Sequence, residues 1–262
     1  MWGRMQEMLP LVTQGCDPSI EITVTSPPYN VGIPYDGYSD DLPYSEYLAD
    51  MAKAFRVLYD ATMEGGRLCL NVPCGTGSGE RYRPIHHDLD QEARKAGWLP
   101  FGTIVWRKAS RGSTFAWGSW ASPSSPALIY SFEFIQLYHK GPARMEPRNR
   151  LPDITGEEFG QWIDAFWSWS SILEDRSGQH PASFPSELVH RLLKLLSFPG
   201  ALVCDPFCGA GTTGVTALSM GRRFLGFDVS RHYVDMTRRA LENVRPIPAV
   251  LSKLDRWVME GP

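Results

Sequence analysis

Ser26, Pro27, Pro28 and Tyr29 are the residues whose types and spacing could do chemistry. Two consecutive prolines each hold φ at about −65° and lack an N–H, and each pushes the residue before it towards extended geometry. The result is a stiff elbow that offers a hydroxyl, backbone carbonyls and a flat aromatic face within four residues. Such a set can hold a planar group carrying an exocyclic amine, because the oxygens accept its N–H hydrogens and the ring stacks on its face. A bare Pro-Pro-Tyr run equally suits an ordinary loop with a buried tyrosine.

Strands must position that elbow. Ile20-Glu21-Ile22-Thr23-Val24-Thr25 alternates and is β-branched, which predicts a strand running into it. Far along the chain, Ala201–Asp205 reads as a short buried strand. Pro206-Phe207-Cys208-Gly209-Ala210-Gly211-Thr212-Thr213-Gly214 follows, and then an apolar helical run through Val215, Leu218 and Met220. Strand, glycine turn and helix form the first crossover of a doubly wound α/β sheet, where glycines let a ligand approach the backbone. Phe224–Asp228 predicts a second strand ending in an acid, the position from which such sheets accept hydrogen bonds from a ribose. A glycine-rich turn alone serves a dinucleotide or merely a tight bend.

Together these residues resemble a known family. Asp205–Thr213 is similar to the S-adenosylmethionine motif of DNA amino-methyltransferases, and Thr25–Tyr29 to their catalytic motif. The catalytic motif comes first and the cofactor motif near the C-terminus, an order that resembles the β class of these enzymes. RNA methyltransferases with a similar elbow usually run the other way. His180-Pro181-Ala182-Ser183-Phe184-Pro185 resembles the segment preceding the cofactor motif, and Trp117–Pro123 a loop found in a subset of the class. The resemblance implies a Rossmann-like, doubly wound methyltransferase sheet with a small inserted target-recognition region. It divides the chain into a catalytic half (1–141), a short recognition insertion (142–179) and a cofactor-binding half (180–262). It implies S-adenosylmethionine as cofactor, held by Asp205, Phe207, Gly209, Ala210, Gly211, Thr212 and Asp228, with His180, Ser183 and Phe184. Gly3–Leu9 is similar to the Gly-Asp-x-x-x-x-Leu segment ahead of the catalytic strand, but Arg4 stands where the family has an acid expected to meet the cofactor's adenine. One cofactor contact is thereby in question, and an N-terminally shortened chain or an ordinary amphipathic start would each account for it.

Composition agrees with a globular α/β chain: 262 residues, 43% hydrophobic and 21% charged. No apolar run reaches the roughly 18 residues of a membrane helix, and no signal pattern opens the sequence, so a soluble, cytoplasmic protein with no membrane partner is expected. The five cysteines lack Cys-x-x-Cys spacing, which argues against a disulfide framework or a metal site. Cys69 and Cys204 fall in predicted strands. Val31–Asp41 predicts a mobile loop beside the cofactor. Pro43–Tyr59 predicts a helix burying Tyr47, Met51, Ala54, Phe55 and Leu58. Strands at Arg67–Val72, Phe101–Trp106 and Glu133–His139, with a helix at Leu89–Ala96 between, predict a parallel sheet covered on both faces. Gly65-Gly66 should separate the first helix from the strand after it.

A net charge of −3 does not announce a nucleic-acid partner, so any positive charge must be gathered on one face. Loops mixing basic and aromatic residues do gather it. Arg107–Pro126 carries Arg107, Lys108, Arg111, Trp117 and Trp120, and Lys140–Gln179 carries Arg144 and Arg148. Each basic residue alone reads as a solvated charge; as a set they suit phosphates and unpaired bases of double-stranded DNA. Thr155-Gly156-Glu157-Glu158 predicts a capped helix with an apolar stripe through Phe159, Trp162, Ile163, Phe166 and Trp167.

The resemblance implies methyl transfer to an exocyclic amine of a base flipped out of the duplex, with Ser26 and the Pro27 carbonyl holding the amine and Tyr29 stacking on the ring. Serine before Pro-Pro-Tyr leans, within the family, towards cytosine N4. Adenine N6 is the nearer alternative, and a non-catalytic DNA-binding relative the more distant one. A homodimer and a cognate restriction enzyme are partners the family admits.

Overall fold

The computed structural model describes residues 1–77, 79–108, 119, 122–169 and 185–244. In chain order the elements are α1 (Met5–Thr13), β1 (Ile20–Thr25), β2 (Pro34–Tyr35), β3 (Tyr38–Ser39), α2 (Tyr44–Ala61), β4 (Thr62–Pro73), α3 (Ile85–Lys95), β5 (Leu99–Lys108) and β6 (Phe132–His139). They continue with α4 (Gly156–Trp162), β7 (Phe166–Trp169), α5 (Ser186–Leu196), β8 (Leu202–Asp205), α6 (Thr212–Ser219), β9 (Arg223–Gly226) and α7 (Arg231–Glu242).

Among the described residues, seven strands form one sheet in the order β7-β5-β6-β4-β1-β8-β9. Strand β1 lies between β4 and β8, parallel to both, and β9 runs parallel to β8. The two neighbours of β1 belong to chain segments that wind away in opposite directions. This is the switch point of a doubly wound sheet, and a crevice opens there beyond the carboxyl ends of the strands. The elbow leaves β1 and the glycine turn leaves β8 at that crevice.

Period-two alternation packs both faces. Leu68, Leu70, Val72, Leu202 and Cys204 meet Tyr47, Met51, Phe55 and Leu58 of α2 and Leu89 of α3. Ile22, Val24, Cys69 and Val203 meet Leu188, Val189, Leu192 and Leu193 of α5 on the other side. A sheet buried on both faces needs such continuous apolar runs.

Three expectations are corrected. The sheet is mixed, because β6 runs antiparallel to both β4 and β5. Strand β4 starts at Thr62 and passes through Gly65 and Gly66, where backbone bonds to Lys140 extend the ladder. A Cβ on Gly66 would lie 2.4 Å from Thr62 Cγ2 and 2.9 Å from the Met63 carbonyl oxygen, so only glycine fits that bend. The capping box at Thr155 and Glu158 forms, but the helix it opens stops at Trp162. Phe166 and Trp167 belong to β7, which joins β5 in parallel at the sheet edge. Trp162 and Trp167 are buried, whereas Phe159, Ile163 and Phe166 are exposed.

Ion pairs lock the segment around 150 to both halves of the sheet. Arg150 grips the buried Glu21 of β1 with two nitrogens, at 3.0 and 2.5 Å. Buried Arg222, just before β9, pairs with Asp153. Among the described residues no helix is long and apolar enough to cross a membrane, and no cluster of His, Cys, Asp and Glu could hold a metal.

Candidate active site

The elbow and the glycine turn face one cavity of about 970 Å³, its open mouth included. Ser26 and Pro28 contribute from one side, and Phe207, Gly209, Ala210, Thr212 and Asp228 from the other. Pro27 lies buried behind them.

A buried carboxylate joins the two sides. Asp205, at the end of β8, accepts from Thr25 Oγ1 at 2.8 Å, from Thr213 Oγ1 at 2.7 Å and from the Phe207 N–H at 3.1 Å. Burial raises its pKa to about 6, and those three hydrogen bonds pull the other way. Asp205 thus braces the turn from beneath. Asp228, two residues past β9, accepts from the Gly209 N–H and the Ser230 N–H, each at 2.9 Å. Gly209 and Gly211 adopt φ of 48° and 90°, the left-handed region that glycine tolerates. A Cβ on Gly211 would press on Thr237, whose hydroxyl donates to the Gly209 carbonyl at 2.8 Å. Gly211 therefore works at the back of the turn, as the N-cap residue of α6.

At the elbow, Ser26 Oγ lies 2.5 Å from the Tyr29 hydroxyl. That hydroxyl also donates to the Asn71 backbone carbonyl and accepts from Asn71 Nδ2, both at 3.2 Å. Burial, foremost, and nearby Glu133 hold the Tyr29 phenol well above its ordinary range, so it stays protonated. The Pro28 carbonyl accepts from Tyr47 at 2.9 Å, which fixes the elbow on α2. The stretch after it, expected to be mobile, is a hairpin (β2, β3) bound to one buried acid: Asp40 accepts from the N–H groups of Asn30, Val31 and Ile33.

Sequence reasoning missed part of the lining. Tyr35, Asp36 and Tyr38 reach the cavity from that hairpin, and Asp50 from α2. Arg4 also lines it and pairs with Asp50 at 3.0 Å, so an acid stands at this end of the cavity although position 4 is basic. Trp2 bridges to Asp228 in parallel fashion and Gly3 donates to the Asp228 carbonyl, which sets Arg4 in place. The α2 stripe hid Asp50 because it lies between core positions. Among the described residues, the lining sets carboxylates of Asp36, Asp50, Asp205 and Asp228 against the cation of Arg4, with aromatic rings beside them. Such a lining fits a cationic ligand with a flat heteroaromatic part.

Of the residues expected to touch DNA, Arg107, Arg144 and Arg148 are exposed, and Arg144 makes a surface pair with Glu146. Lys108 is half-buried and turned inward onto Glu133. Arg111, Trp117, Trp120, His180, Ser183 and Phe184 lie outside the described residues.

The N6_N4_Mtase family of DNA methylases matches residues 20–239. The type II methyltransferase M.MjaVI of Methanocaldococcus jannaschii is 35% identical over 151 residues, 58% of this chain and 77% of that protein. A candidate DNA modification methylase from Thermus thermophilus, complexed with S-adenosyl-L-methionine, superposes with a TM-score of 0.70 at 25% identity, covering 93% of each chain. The cytosine-N4-specific PvuII DNA methyltransferase shares the fold, with a TM-score of 0.70 at 17% identity over 97% of this chain and 91% of its own. With the elbow and the glycine turn on adjacent strands of a doubly wound sheet, and a family match that spans most of the chain, this protein belongs to the N6/N4 family of DNA methylases.

Proposed function

We propose that this protein transfers the methyl group of S-adenosylmethionine to the exocyclic N4 amine of a cytosine flipped out of double-stranded DNA. The observation that carries the reading is the single cavity shared by Ser26 and Pro28 with Phe207, Gly209 and Asp228. Donor and acceptor sites in one cavity let two reactants meet in a fixed geometry, a large part of what such a displacement needs.

Phe207, Gly209, Ala210, Thr212 and Asp228 would hold the cofactor, with Asp36 and Asp50 adding negative charge to the lining. S-adenosylmethionine, when bound, supplies an electrophilic methyl on a sulfonium. The rest is the chain's own work. An amine conjugated with a base ring is a poor nucleophile because its lone pair is delocalised. Ser26 Oγ and the Pro27 carbonyl accept its two hydrogens, which favours a pyramidal nitrogen with its lone pair turned to the methyl. As the new N–CH3 bond replaces the sulfonium–methyl bond, the surplus proton of the amine leaves to solvent through the open mouth of the cavity. Tyr29 supplies the ring against which the flipped base stacks. Exposed Arg107, Arg144 and Arg148 supply charge for the phosphates.

The choice of cytosine rests on Ser26 in the first position of the elbow. Mass spectrometry of nucleosides from DNA incubated with protein and cofactor tests it. N4-methylcytosine is expected; N6-methyladenine would overturn the base assignment, and unmodified DNA would overturn the activity.

A further inference from the structure

Behind the elbow, a chain of polar groups crosses three strands. Glu133 of β6 is 6% exposed and Asn71 of β4 is 3% exposed. Asn71 Nδ2 donates to Glu133 Oε2 at 2.6 Å, and the Lys108 ammonium of β5 pairs with Glu133 Oε1. A carboxylate paired with an ammonium only accepts. The Asn71 amide must therefore turn its nitrogen, and not its oxygen, towards Glu133, and the remaining hydrogen of that nitrogen reaches the Tyr29 hydroxyl at 3.2 Å.

A phenol has one hydrogen, and that of Tyr29 has two acceptors in reach, the Asn71 backbone carbonyl at 3.2 Å and Ser26 Oγ. In the 2.5 Å approach between Ser26 and Tyr29 either hydroxyl can donate. With either direction the Tyr29 hydroxyl holds Ser26 Oγ in place, and a serine lone pair is left for an N–H.

We propose that Glu133 is a positioning residue for methyl transfer: through Asn71 and Tyr29 it holds the Ser26 hydroxyl where it can accept from the target amine. This rests on the methyl-transfer reading of the same site. Lys108 belongs to the same device, as the counter-ion that holds the Glu133 carboxylate in place.

Because the effect passes through the tyrosine hydroxyl, a double-mutant cycle between Glu133→Gln and Tyr29→Phe isolates it. The wild type and the three variants are compared in steady-state and single-turnover methylation of DNA, with cofactor affinity measured by calorimetry and folding by thermal melts. Glu133→Gln is expected to lower kcat and the single-turnover rate roughly tenfold or more, the scale set by removing a preorganised polar partner, with KM for DNA and cofactor affinity unchanged. In the Tyr29→Phe background the same change should alter the rate by less than about twofold. Equal losses in both backgrounds, or no loss in either, would overturn the proposal. Asn71→Ala enters the chain one link later and must show the same coupled loss; if Glu133→Gln does not fold, that cycle decides. Wild-type protein that leaves DNA unmethylated would overturn the underlying activity, and the proposal with it.

Discussion

Thr25 and Asp205 stand 180 positions apart in the chain, yet the threonine hydroxyl donates to the buried carboxylate at 2.8 Å. This hydrogen bond ties the end of β1 to the end of β8, and so the elbow to the glycine turn. Burial of that carboxylate has a consequence for pH. The Asp205 pKa of about 6 in the folded protein exceeds the ordinary value of about 3.9 in an unfolded chain. Between those values the folded state holds a proton that the unfolded state has lost. The stabilisation is complete below pH ~4 and disappears as pH rises through about 6, by an amount on the order of 3 kcal/mol. Asp205→Asn imitates the protonated side chain. Melts from pH 4 to pH 8 should therefore show the wild type losing ground to Asp205→Asn as pH rises. A constant difference across that range would contradict the assignment.

Asp228 braces Gly209 and Ser230 by their N–H groups and lines the cavity. Asp228→Ala should weaken S-adenosylmethionine binding by about 1.5–3 kcal/mol, the scale of hydrogen bonds to a charged group. Asp228→Asn, which keeps one acceptor oxygen, should cost less. Calorimetry with unchanged affinity in the alanine variant would remove Asp228 from the cofactor site.

Arg107, Arg144 and Arg148, proposed to meet the DNA phosphates, are exposed, while Lys108 is engaged by Glu133. Replacing the three arginines by glutamine should weaken binding and flatten its salt dependence by roughly one unit of slope for each phosphate no longer neutralised. An unaltered slope would place the duplex elsewhere.

The two halves of the site were legible in the sequence because each is a local signal: a β-branched run into two prolines, and a strand into glycines that need left-handed backbone. What joins them was not, since Thr25 and Asp205 meet only through the neighbouring positions of β1 and β8. Strand direction was also hidden. An apolar alternating run reads the same parallel or antiparallel, so the reversal of β6 came only with the fold. Phe166 and Trp167 satisfied a helical stripe as readily as a strand because two apolar residues in a row fit both periods. Lys108 resembled a phosphate ligand because its partner, Glu133, lies across the β5–β6 pairing. The acids Asp36 and Asp50 carry no motif, and only the closure of the hairpin and α2 around the cavity brings them to the site.

Tyr29 has two separable parts, a ring and a hydroxyl bonded to Ser26 and Asn71. Tyr29→Ala should lose the stack on the flipped base, worth about 1–3 kcal/mol, and bind DNA less well. Tyr29→Phe should keep DNA affinity and lose rate, since the ring stays and the hydroxyl goes. Fluorescence of a base analogue at the target position would follow flipping in both. Equal flipping by Tyr29→Ala and wild type would remove the stacking role.

The central claim is that the Ser26 hydroxyl holds the target amine at the moment of transfer. Ser26→Ala should fold, melt and bind S-adenosylmethionine as the wild type does, because Ser26 supports neither the core nor the glycine turn. Its single-turnover methylation rate should fall by roughly 10²-fold or more, the scale set by removing one preorganised polar group from a reacting centre. A Ser26→Ala protein that methylates DNA at the wild-type rate would contradict the account.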